Sequence, residues 1–247
     1  MIELLAWDSD FFGRKMGVLT GEFSSPEAIA RDLTAATADG YEYLQCRPPV
    51  EIAAAVRTLE RSGFYLTDLG VTWCRDVARY LSGAEPIRAD SVRLAHELDV
   101  PRLVAEGAKL FRLSRFYDDP FFSVDEADRL HAAWVANSVR GLAADAVWMM
   151  PEGGFVTCKL APDGAGEVAL IGVWEQCRSR GVGRHLMTTA LTWFASKGVA
   201  AVRVRTQVKN LRAMNFYHRL GFDLQRADMT MGRIMRPDAT RYRERWT

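Results

Sequence analysis

The sequence predicts an α/β chain of the α+β kind: a central mixed, mostly antiparallel sheet flanked by helices, with a smaller α/β part at the N-terminal end. Three observations carry this. Helix-period and strand-period segments alternate through most of the 247 residues. Three strand-like runs, "AVWMM", "GFVTCKL" and "EVALIGVW", follow one another, with the turn "APDGAGE" between the last two, so a meander is expected. A helix–glycine–strand unit is also written twice, as "AVRTLERSGFYL" at 55–66 and "AMNFYHRLGFDL" at 213–224.

Taken in order, "SPEAIARDLTAATADG" reads as a helix stopped by Gly40, "YEYLQCR" as a strand, "EIAAAVRTLERSG" as a helix and "FYLTDLGVTWCR" as a strand. The Gly-, Pro- and Ser-containing stretch "YLSGAEPIRADS" at 80–91 is the expected internal boundary, giving parts 1–85 and 86–247. A short strand and turn then lead into a helix from about Val100. The next helix, "SVDEADRLHAAWVANSVRG", has Ser123 as its cap, Glu126 completing a capping box, and Gly141 at its end. After the meander come a Gly-containing turn, the apolar helix "GRHLMTTALTWFASKG" closed by Gly198, the strand "AAVRVRTQ", the helix containing Tyr217, and the strand "DLQRADMTMGRIM". The tail "RPDATRYRERWT" reads as a basic, solvated end. Sliding the chain by 158 positions (213 minus 55) superimposes Gly40 on Gly198, Gly63 on Gly221, Phe64 on Phe222, Thr72 on Thr230 and Arg75 on Arg233. In that alignment Leu59 stands where the second copy has Tyr217.

Composition narrows the function classes. A formal net charge of +1 argues against a bulk electrostatic grip on nucleic acid or membrane. The four cysteines (Cys46, Cys74, Cys158, Cys177) and four histidines are scattered, so neither a metal site nor a disulfide framework is expected. The N-terminal stretch "MIELLAWDSDFF" lacks the charge and apolar run of a signal peptide, and no stretch is long enough for a membrane span. A soluble, cytoplasmic protein is expected.

The stretch "CRSRGVGRHL" follows a strand and opens a helix. A helix start leaves backbone N–H groups unpaired and carries partial positive charge. Gly181 and Gly183 permit close backbone approach, and Arg178, Arg180 and Arg184 add full charges. Together these suit a diphosphate. The pattern is not GxxxxGK[ST], and it lacks the third glycine of a dinucleotide fingerprint. A purely structural Gly-rich connection is the other reading.

"IGVWEQCRSRGVGRHLMTTAL" followed by "NLRAMNFYHRLGF" resembles the GNAT N-acetyltransferase superfamily. Arg178-Ser179-Arg180-Gly181-Val182-Gly183 matches its R/Q-x-x-G-x-G/A motif, and Asn210, Tyr217, Gly221 and Phe222 match the segment further on, over about residues 91–235. "WDSDFFG", "SRFYDDPFF" and "WVANSVRG" extend the likeness to the dTDP-fucosamine acetyltransferase family, whose members acetylate the amino group of a nucleotide-linked deoxy sugar and carry an extra N-terminal domain.

The resemblance implies a GNAT fold, a degenerate GNAT-like N-terminal domain, and acetyl-CoA as cofactor. It places the backbone of Ile171 and Val173 on the pantetheine arm and acetyl carbonyl, and the N–H groups from Arg180 through Gly181, Val182 and Gly183 to Arg184 on the diphosphate. Arg178 and Phe216 join the cofactor-binding set, and Asn210 would hydrogen-bond the cofactor arm. Tyr217 becomes the general acid for the leaving thiolate, since a phenol is protonated at neutral pH. Its other reading is a core tyrosine of an amphipathic helix. Asp68 aligns with a family glutamate thought to act as a base through water, although it is shorter by one methylene; its other reading is a turn-stabilising Asp.

"SRFYDDPFF" offers Arg115, Phe116 and Tyr117 to an acceptor pocket, by ion pairing and stacking, or else is a structured loop with buried aromatics. Trp134 and Asn137 share a helix face and border the same expected cleft, with a core role for Trp134 as the alternative. The expected partner is a small-molecule amine, most simply a TDP- or UDP-amino sugar. Another amine (an amino acid, polyamine, antibiotic or protein N-terminus) and a non-catalytic acetyl-CoA sensor remain alternatives. Assembly is left open between monomer and homodimer.

Overall fold

The computed structural model describes residues 1–21, 23, 25–83 and 92–235. The basic tail from Arg236 and the part of the expected boundary from residue 84 to 91 lie outside the described residues.

The elements in chain order are β1 (Ile2–Leu4), α1 (Ala6–Phe12), β2 (Met16–Leu19), α2 (Pro26–Ala38), β3 (Tyr43–Cys46), α3 (Ala53–Arg61), β4 (Tyr65–Asp76) and α4 (Val77–Leu81). Then come β5 (Arg93–Leu94), α5 (Val100–Gly107), α6 (Val124–Val139), β6 (Ala146–Met150), β7 (Gly154–Leu160), β8 (Gly166–Val168) and β9 (Ile171–Val173). The chain continues with α7 (Val182–Ser196), β10 (Ala201–Gln207), α8 (Leu211–Arg219) and β11 (Asp223–Ile234). Local signals explain many of these bounds. Ser25 accepts the Ala28 N–H, with Pro26 in the first turn of α2. Ser123 and Glu126 form the reciprocal capping box at α6, at 3.1 Å and 2.8 Å. Gly40, Gly141 and Gly198, at the ends of α2, α6 and α7, all take positive φ. The sequence does not announce α1 or α4. Tyr80 and Leu81, read as loop, lie in α4.

The chain gathers into two compact units. The first comprises Met1–Gly70, Ser114–Glu126 and Ala227–Thr247; the second comprises Val71–Leu113 and Ala127–Arg226. In the first unit β1 pairs antiparallel with β2, β2 parallel with β3, and β3 antiparallel with β11. Its core includes Leu19, Ile29, Leu33, Leu44, Leu59, Phe64 and Met231.

In the second unit β10 pairs parallel with β8, while β7 pairs antiparallel with β6, β8 and β9, and β5 antiparallel with β6. Successive strand residues point to opposite faces, and this sheet is buried on both. Val156 and Cys158 of β7 enter one core with α7, α8 and α4, whereas Phe155, next to Val156 and on the opposite face, enters another with α5 and α6. A mixed sheet flanked by helices is thus present, as the sequence predicts.

The written repeat is a structural one. Helices α3 and α8 each have nine residues, and strands β4 and β11 each have twelve. Both pairs are offset by 158 positions (211 − 53 and 223 − 65). β3 and β10 start at the same offset (201 − 43), and α2 and α7 end at it (196 − 38). The long strands cross over in their allegiance. β4 begins in the first unit and ends in the second; β11 begins in the second and ends in the first.

Leu59 is fully buried. Leu59→Ala should lower the unfolding free energy by about 2–5 kcal/mol through lost transfer energy and a residual cavity. Urea denaturation followed by tryptophan fluorescence would measure it; an unchanged midpoint would place Leu59 outside a tight core.

Candidate active site

The site begins with an irregularity in β7's partner. Lys159 faces Glu167 in β8, but Val156 faces Ile171 in β9. Three steps along β7 are therefore matched by four along its partner, so one extra residue is inserted, a β-bulge. Thr157 fastens it. Its backbone N–H donates to the Leu170 carbonyl at 2.9 Å, and its hydroxyl accepts the Leu170 N–H at 2.9 Å. Thr157 is 1 % exposed, so both bonds are made away from solvent.

The bulge separates the sheet. The parallel ladder runs from Val202 opposite Gly166 to Val204 opposite Val168 and ends there, although β10 continues to Gln207. Beyond it, β9 stays with β7. The Leu170 carbonyl and the Trp174 N–H both point to β7, the latter donating to Gly153 at 2.8 Å. Backbone groups alternate in direction along an antiparallel strand. The N–H and C=O of Ile171 and Val173 therefore point away from β7, along the side where pairing with β10 has stopped.

The turn after β9 supplies charge. Ser179 (φ 62°) and Gly181 (φ 82°) both take left-handed backbone, flanking Arg180. Gly181 caps α7 without a side-chain hydrogen bond, and the first intrahelical bond is from His185 N–H to the Gly181 carbonyl at 3.1 Å. The N–H groups of Val182, Gly183 and Arg184 thus have no intrahelical acceptor. No acid stands in this first turn, and Arg184 occupies it instead. A cation at a helix N-terminus costs about 0.3–1 kcal/mol, so the arrangement favours an incoming anion over the stability of the free helix. Arg178 is paired with Glu175 at 3.3 Å, whereas exposed Arg180 and Arg184 have no ion pair among the described residues.

Helix α8 closes the group. Asn210 caps it by accepting the Ala213 N–H at 3.1 Å, and its Nδ2 donates to Thr206 Oγ1 of β10 at 3.2 Å. Phe216 lies against Gly183: a Cβ added there would meet its ring at 3.1 Å and Val173 Cγ2 at 3.5 Å. The absent side chain of Gly183 therefore makes room for Phe216, and Val173, Gly183 and Phe216 form one contact. Tyr217 is 3 % exposed, its ring 5.8 Å from that of Phe222. Burial pushes its phenol well above the usual tyrosine range. Ile171 and Val173 pack against the same core cluster.

Residues 110–222 match the family model described as the acetyltransferase (GNAT) family. The chain carries a GNAT acetyltransferase domain. GNAT enzymes use acetyl-CoA as the acetyl donor. The chain is 25% identical to the dTDP-fucosamine acetyltransferase of Escherichia coli O6:H1, over 91% of this chain and 94% of that protein. It is 36% identical to the mycothiol acetyltransferase of Saccharopolyspora erythraea, over 32% of this chain and 26% of that protein. Among solved structures, a GCN5-related N-acetyltransferase from Sphaerobacter thermophilus shares the fold, with a TM-score of 0.61, 12% identity, and coverage of 96% of this chain and 76% of that one.

The second unit holds Ile171, Val173, Arg178, Arg180, Gly181, Val182, Gly183, Arg184, Asn210, Phe216 and Tyr217; of these, Ile171, Val173, Val182, Phe216 and Tyr217 share one core cluster, and Gly183 touches Phe216 and Val173. Asp68 and the segment Arg115–Tyr117 belong to the first unit. There Asp68 is 7 % exposed in β4. Phe116 packs with Phe12 and Phe122, and Arg115 donates to Gln45 Oε1 at 2.8 Å. That corner is organised by Asp119, which accepts from Tyr43, Tyr65 and the Phe121 N–H. In the second unit half-buried Trp134 packs against the core cluster that contains Leu103 and Phe155, and the Asn137 carbonyl accepts N–H groups of Leu142 and Ala143 at the end of α6. Sequence reasoning passed over Thr157 and Thr206. The one available signal for Thr157 was a polar residue within the apolar run "GFVTC".

Among the described residues no group of three His, Cys, Asp or Glu side chains is placed to hold a metal ion, and no helix is long and apolar enough to cross a membrane.

Thr157→Val leaves the Leu170 N–H without its acceptor, costing about 1–3 kcal/mol. With the bulge loosened, KM for acetyl-CoA should rise more than kcat falls. Steady-state kinetics would check this; an unchanged KM would show that Thr157 does not set the gap.

Proposed function

We propose that the chain transfers an acetyl group from acetyl-CoA to the amine of a nucleotide-linked amino-deoxy sugar. The supporting observation is the whole-length likeness to the dTDP-fucosamine acetyltransferase, which covers both copies of the repeat as well as the GNAT domain.

The chain's residues fit the cofactor. The outward N–H and C=O groups of Ile171 and Val173 suit an extended amide-bearing arm by strand-like hydrogen bonding. The unpaired N–H groups of Val182, Gly183 and Arg184, with Arg180 and Arg184 beside them, suit a diphosphate. Asn210 holds the start of α8, and so the helix bearing Tyr217, on β10. When bound, acetyl-CoA supplies an acetyl thioester and a thiolate as leaving group. Tyr217 keeps the proton on its hydroxyl oxygen through the neutral range, because desolvation penalises the phenolate, and so has a proton to give. Asp68 is retained as the group that takes the amine's proton through water.

Tyr217→Phe should lower kcat by about 10²–10⁴-fold with an almost unchanged Kd for acetyl-CoA. Near-normal turnover would remove Tyr217 from the mechanism. The folding linkage has a definite sign. Tyr217 has a raised pKa when folded, so its contribution is complete below the unfolded value of about 10 and is lost as pH rises beyond it. Above about pH 10 the wild type should therefore lose stability more steeply than Tyr217→Phe, as read from urea midpoints against pH. Asp68→Asn should lower kcat by about 10²–10⁴-fold with little change in the Kd for acetyl-CoA; unchanged turnover would reject Asp68 as the base.

The substrate class is tested by following free thiol with acetyl-CoA and a panel of amines. Turnover confined to a dTDP-amino sugar is the expected result. Preference for an amino acid, polyamine or antibiotic would overturn the acceptor while keeping the reaction, and binding without thiol release for every amine would reduce the chain to a sensor.

A further inference from the structure

Along β9 the side chains of Ile171 and Val173 pack against the core shared with α7 and α8. Residue 172 between them therefore faces the other side of the sheet. It is a glycine. A Cβ added to Gly172 would come within 2.5 Å of Leu110 Cδ1 and 3.2 Å of Phe155 Cε1. On the face toward α5 and α6, β9 has no side chain of its own, and Leu110 and Phe155 fill the place.

These two walls differ. Phe155 is fully buried and boxed in. A Cβ on Gly107 of α5 would meet its ring at 2.8 Å, so two glycines on two elements make room for it. Trp174 and Phe111 stand against it, with ring centres at 6.0 Å and 6.3 Å. Leu110 is only half-buried, on the 3₁₀ turn Ala108–Phe111 that follows α5. One wall is fixed, and the other is a single branched side chain at the rim of the core. Gly107, Leu110, Phe155 and Gly172 are all apolar, so this corner selects by volume rather than by polarity.

We infer that Leu110 sets the length of the acyl group accepted at β9, admitting acetyl and turning away longer chains. The inference rests on the reading of the β9 edge as the seat of the donor's arm. The outward backbone groups of Ile171 and Val173 hold the acyl end of the donor beside Gly172. The missing side chain of Gly172 leaves space next to that edge, and Leu110 closes it. Each methylene beyond acetyl presses on a wall already at contact distance, and one methylene too many in a close-fitting apolar pocket costs about tenfold or more.

Calorimetric titration of the full-length protein, with no acceptor present, tests this with free CoA and with acetyl-, propionyl- and butyryl-CoA. In the wild type Kd should rise with each methylene, butyryl-CoA binding at least about tenfold more weakly than acetyl-CoA. Leu110→Ala should bring these two within about threefold of each other and leave the Kd of free CoA unchanged. Leu110→Val, a smaller truncation, should fall between, and it keeps the test open should Leu110→Ala fail to fold in a thermal melt. Equal affinity of the wild type for acetyl- and butyryl-CoA would overturn the inference. So would a folded variant that keeps the wild-type dependence on chain length, or one that weakens all four ligands alike, which would make Leu110 merely structural. Absence of CoA binding by the wild type would overturn it together with the donor seat at β9. No acceptor takes part, so the outcome is separable from failure of the amino-sugar assignment.

Discussion

A single inserted residue between β8 and β9, pinned by Thr157, governs the working half of this protein. A regular strand would continue its ladder with β10 and use up the backbone groups of Ile171 and Val173. The bulge turns them instead toward an open side, while β7 keeps β9 ordered. The gain is polar backbone available to a ligand on a rigid frame, at the cost of forgone sheet hydrogen bonds. The turn that follows compounds this: left-handed Ser179, an uncapped helix start and an arginine in the first turn are all unfavourable for a free helix and favourable for one receiving an anion.

The two copies differ at each of these points. In the first, β2 stays in register with β3 over its whole length, from Met16 opposite Tyr43 to Leu19 opposite Cys46. Helix α2 is capped by Ser25 and begins with Pro26, which has no N–H to offer. The copy is zipped and capped where the second is parted and bare. Leu59, at the position where the second copy has Tyr217, is fully buried in the first unit's core.

Legibility in the sequence followed the range of the interactions. Helix and strand periods, the Ser123–Glu126 box and the glycine stops are local chemistry, and they marked nearly every long element of the second copy. Gly181 and its arginines were legible for the same reason. The bulge was not: "EVALIGVW" reads as one strand, because the extra residue is defined only against the register of β7. The contact of Gly183 with Phe216 was equally illegible, because Phe216 lies on another helix. The corner around Asp119 was equally opaque, because Tyr43 and Tyr65 lie far from it in sequence. Helix α4 was hidden by brevity, its hold on α7 resting on Tyr80 meeting Thr188.

The crossed allegiance of β4 and β11 bears on how the chain is made. The first unit's sheet is completed by β11, whose residues are among the last of the described chain to leave a ribosome. The N-terminal copy therefore waits through the synthesis of the whole GNAT domain, with the edge of β3 unpaired in the meantime. Pairing across 185 residues of sequence (231 − 46), Met231 with Cys46, is the kind of non-local closure that slows folding and leaves strand edges exposed to other chains. A duplicated sequence would ordinarily permit domain-by-domain folding; by sharing its last strands in this way, this one ties maturation of the first half to completion of the second.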